Sequence, residues 1–212
     1  METLSGLLHY LLHIDTYLIA FVSNYGIWTY FLLFAIIFCE TGLVVMPFLP
    51  GDSLLFAAGS IAANSENTLD LQLLMVLLMI ASILGNKTNY LIGRAIGPRV
   101  FNANSSWLLN KKHLEDTHRF YEKHGGKTII FARFIPIIRT FAPFIAGVGS
   151  MSLKRFSFYN IISGVLWIGS LLSAGYFFGS LTFVKEHFSL VVYGIIAISL
   201  MPPLVATLCR RA

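Results

Sequence analysis

Basic residues are absent from the first 86 positions of this chain: all 15 Lys and Arg lie at or after Lys87, whereas Glu2, Asp15, Glu40, Asp52, Glu66 and Asp70 precede it. A nucleic-acid partner requires a basic stripe or patch, so a pI near 9.3 does not by itself indicate one. Charge of either sign is scarce, at 12% of residues against 56% hydrophobic, and the mean hydropathy is +0.74, which excludes an ordinary soluble domain. Cysteine is nearly missing. Cys39 and Cys209 lie in apolar surroundings without ligand spacing, which excludes a disulfide framework and a thiolate metal cluster. No Walker-type glycine loop is present, so ATP is not expected as an energy source. The start Met1-Glu2-Thr3 lacks the basic region of a cleaved signal peptide and is read as mature sequence.

What remains is a membrane protein. Residues 27–49, 69–85, 156–181 and 188–208 approach or exceed the roughly 20 apolar residues that cross about 30 Å of hydrocarbon. Lys and Arg are retained on the cytoplasmic side during insertion, so the loops before position 86 are expected outside and the basic stretch from Arg94 to Lys127 inside. This predicts a multi-pass inner-membrane protein with an external N-terminus and a cytoplasmic C-terminus.

Pattern along the chain predicts one all-α membrane domain over 1–212. Residues 4–22 carry His9, His13 and Asp15 at helical spacing and either lie in the outer interface or span. Residues 27–60 are apolar but broken by Pro47 and Pro50-Gly51, as a re-entrant hairpin would be, because freed backbone groups cannot face lipid. Residues 69–97 form a transmembrane helix, and 98–127 a cytoplasmic loop with an amphipathic helix. Residues 128–150, broken by Pro136, Pro143 and Gly147, make a second re-entrant hairpin, followed by transmembrane helices over 156–181 and 188–208. Phe48-Leu49-Pro50 and Phe134-Ile135-Pro136 stand in the same offset as Tyr90-Leu91-Ile92-Gly93 and Tyr176-Phe177-Phe178-Gly179. Shared register with opposite entry sides is the pattern of an inverted repeat, whose broken helices meet near the midplane at a substrate site.

Four ionisable residues fall inside these apolar stretches: Glu40 and Asp52 in the first hairpin, Arg133 and Arg139 in the second. A charge at membrane depth costs about 2.5–3.5 kcal/mol on insertion scales, so it faces a partner or a wet cavity. Two readings are open. Ion pairs could simply lock the hairpins together. Alternatively, Arg133 and Arg139 bind an anionic head group, since guanidinium stays charged and offers planar paired donors to phosphate, while Glu40 and Asp52 take up and release protons. In that case Pro50, Gly51, Pro136, Pro143 and Gly147 keep the hairpins broken and the site open.

The residues that carry this pattern also carry a resemblance. Glu40, Pro50-Gly51-Asp52 with Ala58-Gly59, Gly85 to Gly97 with Tyr90 and Gly93-Arg94, and Phe131 to Thr140 through Pro143 and Ala146-Gly147 resemble the DedA family of bacterial membrane proteins. His124-Gly125-Gly126-Lys127 and Trp167 fit as well, and the resemblance covers nearly the whole chain. It implies two opposed re-entrant hairpins, kinship with eukaryotic VTT-type lipid scramblases, and roles in moving polyprenyl phosphates or phospholipids, in envelope integrity and in proton-dependent drug or alkali tolerance. It also implies that the acidic pair Glu40 and Asp52 and the arginines Arg133 and Arg139 are essential. Many members have Asp after the glycine at position 85, where this chain has Asn86, which weakens any scheme with a proton carried there.

The expected function is transport of an anionic lipid carrier, undecaprenyl phosphate or a related phospholipid, across the inner membrane with proton coupling. Two rivals stay open: a proton-coupled antiporter of small cations or drugs, and a non-transport partner in membrane integrity. Enzyme chemistry is not expected, because His9, His13, His113, His118 and His124 lie beside no nucleophile and in no metal-binding pattern. Partners are membrane lipids and protons, with no cofactor, no metal and no nucleic acid. Gly164, Gly169, Gly175 and Gly179 permit close helix packing within one chain or between copies in a homo-oligomer.

Overall fold

A computed structural model of the chain describes residues 25–43, 51–63, 69–102 and 126–179, together with 181 and 194. The expected segments 4–22 and 188–208, the amphipathic helix of the 98–127 loop, and Pro50 lie outside them. Every regular element among the described residues is a helix: α1 (Trp28–Gly42), α2 (Gly51–Ala62), α3 (Leu71–Asn102), α4 (Lys127–Ala132), α5 (Pro136–Val148) and α6 (Leu153–Gly179).

Length separates these helices into two kinds. Leu71–Gly97 and Leu153–Gly179 are largely apolar stretches of 27 residues each, about 40 Å of helix, enough to cross the hydrocarbon of a bilayer. By contrast α1, α2 and α5 have 15, 12 and 13 residues, about 18–22 Å, too short to span alone. The long helix α3 continues through Pro98 to Asn102, five residues into the stretch expected as loop.

Local chemistry sets the ends. Asp70 caps α3, its carboxylate accepting from Leu73 N at 2.8 Å, and Asp70 N donates to the Tyr30 hydroxyl at 2.7 Å. At the end of α4 the backbone tightens, with Arg133 N bonded to Ile130 O and Ile135 N to Ala132 O. Ile135 is then extended (φ −112°, ψ 110°), as the residue before a proline prefers, and Pro136 opens α5 where its missing N–H costs nothing. Pro136 therefore does mark a break, between α4 and α5. Pro143 and Gly147, expected to help break this hairpin, instead lie inside the continuous helix α5. Pro143 has no N–H to offer the carbonyl one turn earlier, that of Arg139, yet the helix runs on to Val148.

The chain divides into two compact units: Met1–Ile36, Phe48–Met79 and Ile168–Ala212 in one, Ile37–Pro47 and Ile80–Trp167 in the other. In the first, α2 packs on the end of α6 at glycine crossings. A Cβ at Gly59 would press on the Leu172 carbonyl and one at Gly175 on Phe56 O. Leu54, Leu55, Phe56, Leu74, Ile168 and Leu172 are buried. In the second, α5 packs on α3 in the same manner, Gly93 against the Phe144 carbonyl and Gly147 against that of Tyr90. The Tyr90 ring stacks on Phe156 with centroids 4.3 Å apart, and its hydroxyl donates to Met151 O, holding the turn between α5 and α6.

Candidate functional site

The buried polar groups of the second unit lie on a helical stripe along each long helix. On α3, Ser82, Asn86 and Asn89 recur at four and three residues, and on α6, Asn160, Ser163 and Trp167 at three and four, so each set shares one face. All six are buried. Gly85, on the α3 stripe, lets α1 approach: a Cβ there would collide with Thr41 Oγ1 and lie 2.8 Å from Phe38 O. That approach carries the end of α1, with Glu40, to the stripe.

Glu40 is fully buried and forms an ion pair with Arg139 of α5, itself only 6% exposed. One amide holds the two helices in register beside this pair. Asn89 Nδ2 donates to Thr41 O at 3.2 Å and to Thr140 O at 2.8 Å, the carbonyls of the residues that follow Glu40 and Arg139. Thr41 Oγ1 bonds back to Ile37 O at 2.8 Å, satisfying its hydroxyl within the last turn of α1.

Arg133, in the α4–α5 turn, is surrounded differently. Its Nη1 donates to Asn160 Oδ1 and Ser163 Oγ, both at 3.1 Å, and its Nη2 to Ser82 Oγ at 2.5 Å. Each acceptor is neutral, Arg133 makes no ion pair among the described residues, and its Nε finds no acceptor among them. Asn160 is pinned in turn: Asn86 Nδ2 donates to its Oδ1 at 3.1 Å, and its own Nδ2 donates to Ile83 O at 2.9 Å. Both guanidiniums lie against one indole. Arg133 Cζ is 5.2 Å and Arg139 Cζ 5.1 Å from the Trp167 ring centre, within cation–π range.

The cluster thus contains two guanidinium charges and one carboxylate, all removed from solvent. Chemically it is a site with net positive charge, able to offer planar paired donors to an oxyanion. Of the four ionisable residues singled out in the sequence, Glu40, Arg133 and Arg139 come together here. Asp52 belongs to the other unit, in the first turn of α2, partly buried. Gly51 is the first, buried residue of α2. Sequence reasoning missed Ser82, Asn89, Asn160 and Ser163 altogether, and noted Asn86 and Trp167 without giving either a place in the site.

Comparison with known proteins gives the chain its relatives. Residues 49–177 match the VTT domain. The chain is similar to the protein DedA of Escherichia coli (strain K12), at 50% identity over 202 residues, covering 95% of this chain and 92% of that one. It is also similar to an uncharacterized membrane protein of Mycobacterium leprae (strain TN), at 43% identity over 81% of this chain and 76% of that one. The inner membrane protein YqjA of Escherichia coli (strain K12) is 36% identical over 84% of this chain and 80% of its own length. No solved structure matches the chain.

Proposed function

The chain belongs to the VTT-domain, or DedA, family of membrane proteins, and from that premise we propose that it moves an anionic lipid, undecaprenyl phosphate or a related phospholipid, across the bacterial inner membrane. The observation that carries this reading is Arg133: a buried guanidinium held, among the described residues, by the neutral side chains of Ser82, Asn160 and Ser163, next to a second guanidinium on the same indole. An uncompensated cation inside an apolar protein is a place for an anion. The phosphate would take Arg133 and compete with Glu40 for Arg139.

That competition supplies a route to proton coupling. When phosphate engages Arg139, Glu40 loses its counter-charge in a buried setting, where the neutral carboxylic acid is favoured, so binding of the lipid and uptake of a proton go together. Asp52 is assigned the second proton-coupling role. No bond of the lipid is made or broken, so the protein is a transporter and not an enzyme, and neither cofactor nor metal takes part.

In this reading α1–α2 and α4–α5 are two re-entrant hairpins facing from opposite sides, related by an inverted repeat, with the N-terminus periplasmic and the C-terminus cytoplasmic. The short helix lengths support it, as do the break at residues 133–135 and the sequence offset of Pro50 and Pro136, under which α2 and α5 correspond in position along the chain. Antiport of a cation fits less well, because Glu40 is engaged by Arg139.

Translocation of a short-chain polyprenyl phosphate in liposomes, with and without an imposed pH gradient, tests the proposal. Wild-type protein is expected to give gradient-stimulated movement, Arg139→Ala none, and Arg133→Lys a loss of at least tenfold, because ammonium cannot reproduce the forked donor set. Unaltered movement with Arg139→Ala, or no movement by wild type under either condition, overturns it.

A further inference from the structure

Asn160 sits at a junction whose hydrogen-bonding directions are set by two partners with no alternative, Arg133 and the Ile83 carbonyl. Arg133 can reach its Oδ1 only as a donor, and the Ile83 carbonyl can meet its Nδ2 only as an acceptor; with Asn160 so held, the Asn86 amide donates to the same Oδ1. Turning the Asn160 amide over would oppose donor to donor at Arg133 and acceptor to acceptor at Ile83. We propose that Asn160 is the positioning residue for Arg133 and that Asn86, acting through it, determines whether this arginine remains an uncompensated cation for the anion. The proposal rests on reading the cluster as an anion site.

The identity of residue 86 is then a specificity element. An amide at 86 donates to Asn160 and brings no charge. A carboxylate there would behave oppositely in its two protonation states. Protonated, its O–H can donate to Asn160 Oδ1 just as the Asn86 amide does. Ionised, it only accepts: it opposes Asn160 Oδ1, works against the orientation that Arg133 and the Ile83 carbonyl hold, and places a negative charge one residue from the Arg133 donors. Phosphate then meets a cation that is misplaced and partly neutralised. The chain's own Asn86 adds no titrating group beside Arg133, leaving proton coupling in this unit to the Glu40–Arg139 pair.

The surroundings of position 86 contain few other charges. Among the described residues of this unit, the buried ones are Glu40 on α1, Arg133 at the α4 end and Arg139 on α5. Lys87 and Arg94 on α3, Lys127 on α4, and Lys154 and Arg155 on α6 are exposed. A carboxyl introduced at 86 is therefore answered chiefly by Arg133 through Asn160.

The test uses the full chain in nanodiscs, with Trp28→Phe and Trp107→Phe so that Trp167 alone reports on the two arginines stacked upon it. Farnesyl phosphate is the probe. From about pH 5 to about pH 9 the ratio of the Asn86→Asp Kd to the Kd of the parent protein is expected to rise at least tenfold, about 1.4 kcal/mol. Trp167 emission should follow the same titration without ligand. Asn86→Leu, which removes the donor but cannot ionise, should weaken binding by a ratio that is flat with pH. Asn160→Asp tests the junction from its other side and is expected to show the same rise, should Asn86→Asp not assemble. A flat ratio and flat emission in both Asp variants overturn the inference, as does an Asn86→Leu profile that matches Asn86→Asp. If Trp167 emission titrates in the Asp variants while farnesyl phosphate binds neither variant nor parent, the junction stands and the anionic-lipid reading falls.

Discussion

Removing one member of the Glu40–Arg139 pair should be far more damaging than removing both. Glu40 is fully buried and Arg139 only 6% exposed, so a surviving partner remains as a charge in a low-dielectric interior. The cost of stranding such a charge is about 3–5 kcal/mol, whereas exchanging a whole buried pair for neutral groups of similar volume is often neutral or better. Glu40→Gln and Arg139→Met are each expected to lose about 3–5 kcal/mol, and the double variant less than either. Reversible unfolding of the purified protein in mixed micelles, titrated with SDS and followed by helical circular dichroism, gives all three values from one assay. Additive losses would refute the reasoning, and so would single losses below about 1 kcal/mol, the range of solvent-exposed pairs. The same variants separate a structural lock from a transport role. A double variant that is as stable as wild type should still fail to translocate polyprenyl phosphate, because its second phosphate ligand and its proton carrier are gone. Wild-type transport by the stable double variant would show the pair to be only a lock.

Substitutions at two further positions probe the packing of α1 on α3 and the backbone after α5. Gly85→Ala introduces a Cβ that collides with Thr41 Oγ1 and lies 2.8 Å from Phe38 O, so α1 must shift and carry Glu40 with it; a loss of about 1–3 kcal/mol is expected in the unfolding assay, with transport lost at the same time. Ser150 has φ +56°, a left-handed conformation, so Ser150→Gly should gain about 1 kcal/mol and Ser150→Val lose at least as much, with transport by the glycine variant unchanged.

Composition alone identified a helical membrane protein, because charge was scarce and apolar runs long, and the relatives bear out both the membrane class and the family. The two long helices were legible for the same reason: an uninterrupted apolar stretch of that length has few other uses. Proline was a less faithful guide. Pro136 does stand at a break, since Ile135 before it is extended, yet Pro143 is absorbed into α5, where the loss of one backbone donor is tolerated by a helix packed along Gly93 and Gly147. Charges at depth drew attention to Glu40, Arg133 and Arg139 because each is expensive where it stands. The neutral cradle around Arg133 gave no such alarm. Ser, Asn and Thr in an apolar helix are cheap enough to pass unnoticed one at a time, and only their spacing marks them: Ser82, Asn86 and Asn89 on one helix, Asn160 and Ser163 with Trp167 on another. Asparagine at those positions could have been found by asking which buried amides share a face with a conspicuous arginine. That Asn160 serves Arg133 while Asn89 holds the carbonyls beside the ion pair depends on which turn of one helix meets which turn of the next, and that lies in the tertiary packing.

The contrast between the two arginines bears on why either is there. Arg139 has a carboxylate, and a buried ion pair gives little net stability over well-packed apolar residues, so the pair is poorly explained as reinforcement of the fold. Arg133 is harder still to explain that way. Its donors meet two hydroxyls and an amide oxygen, which satisfy hydrogen bonds without a direct ion pair among the described residues, and a charge so placed costs several kcal/mol in a low-dielectric interior. A single carboxylate in place of Ser82, Ser163 or Asn160 would have neutralised it. The chain instead orients three neutral acceptors around the guanidinium and places a second guanidinium on the other contact of the same indole. Such an arrangement holds a positive charge in position with neutral partners, and on the reading proposed above the group that completes it is the anion of the transported lipid.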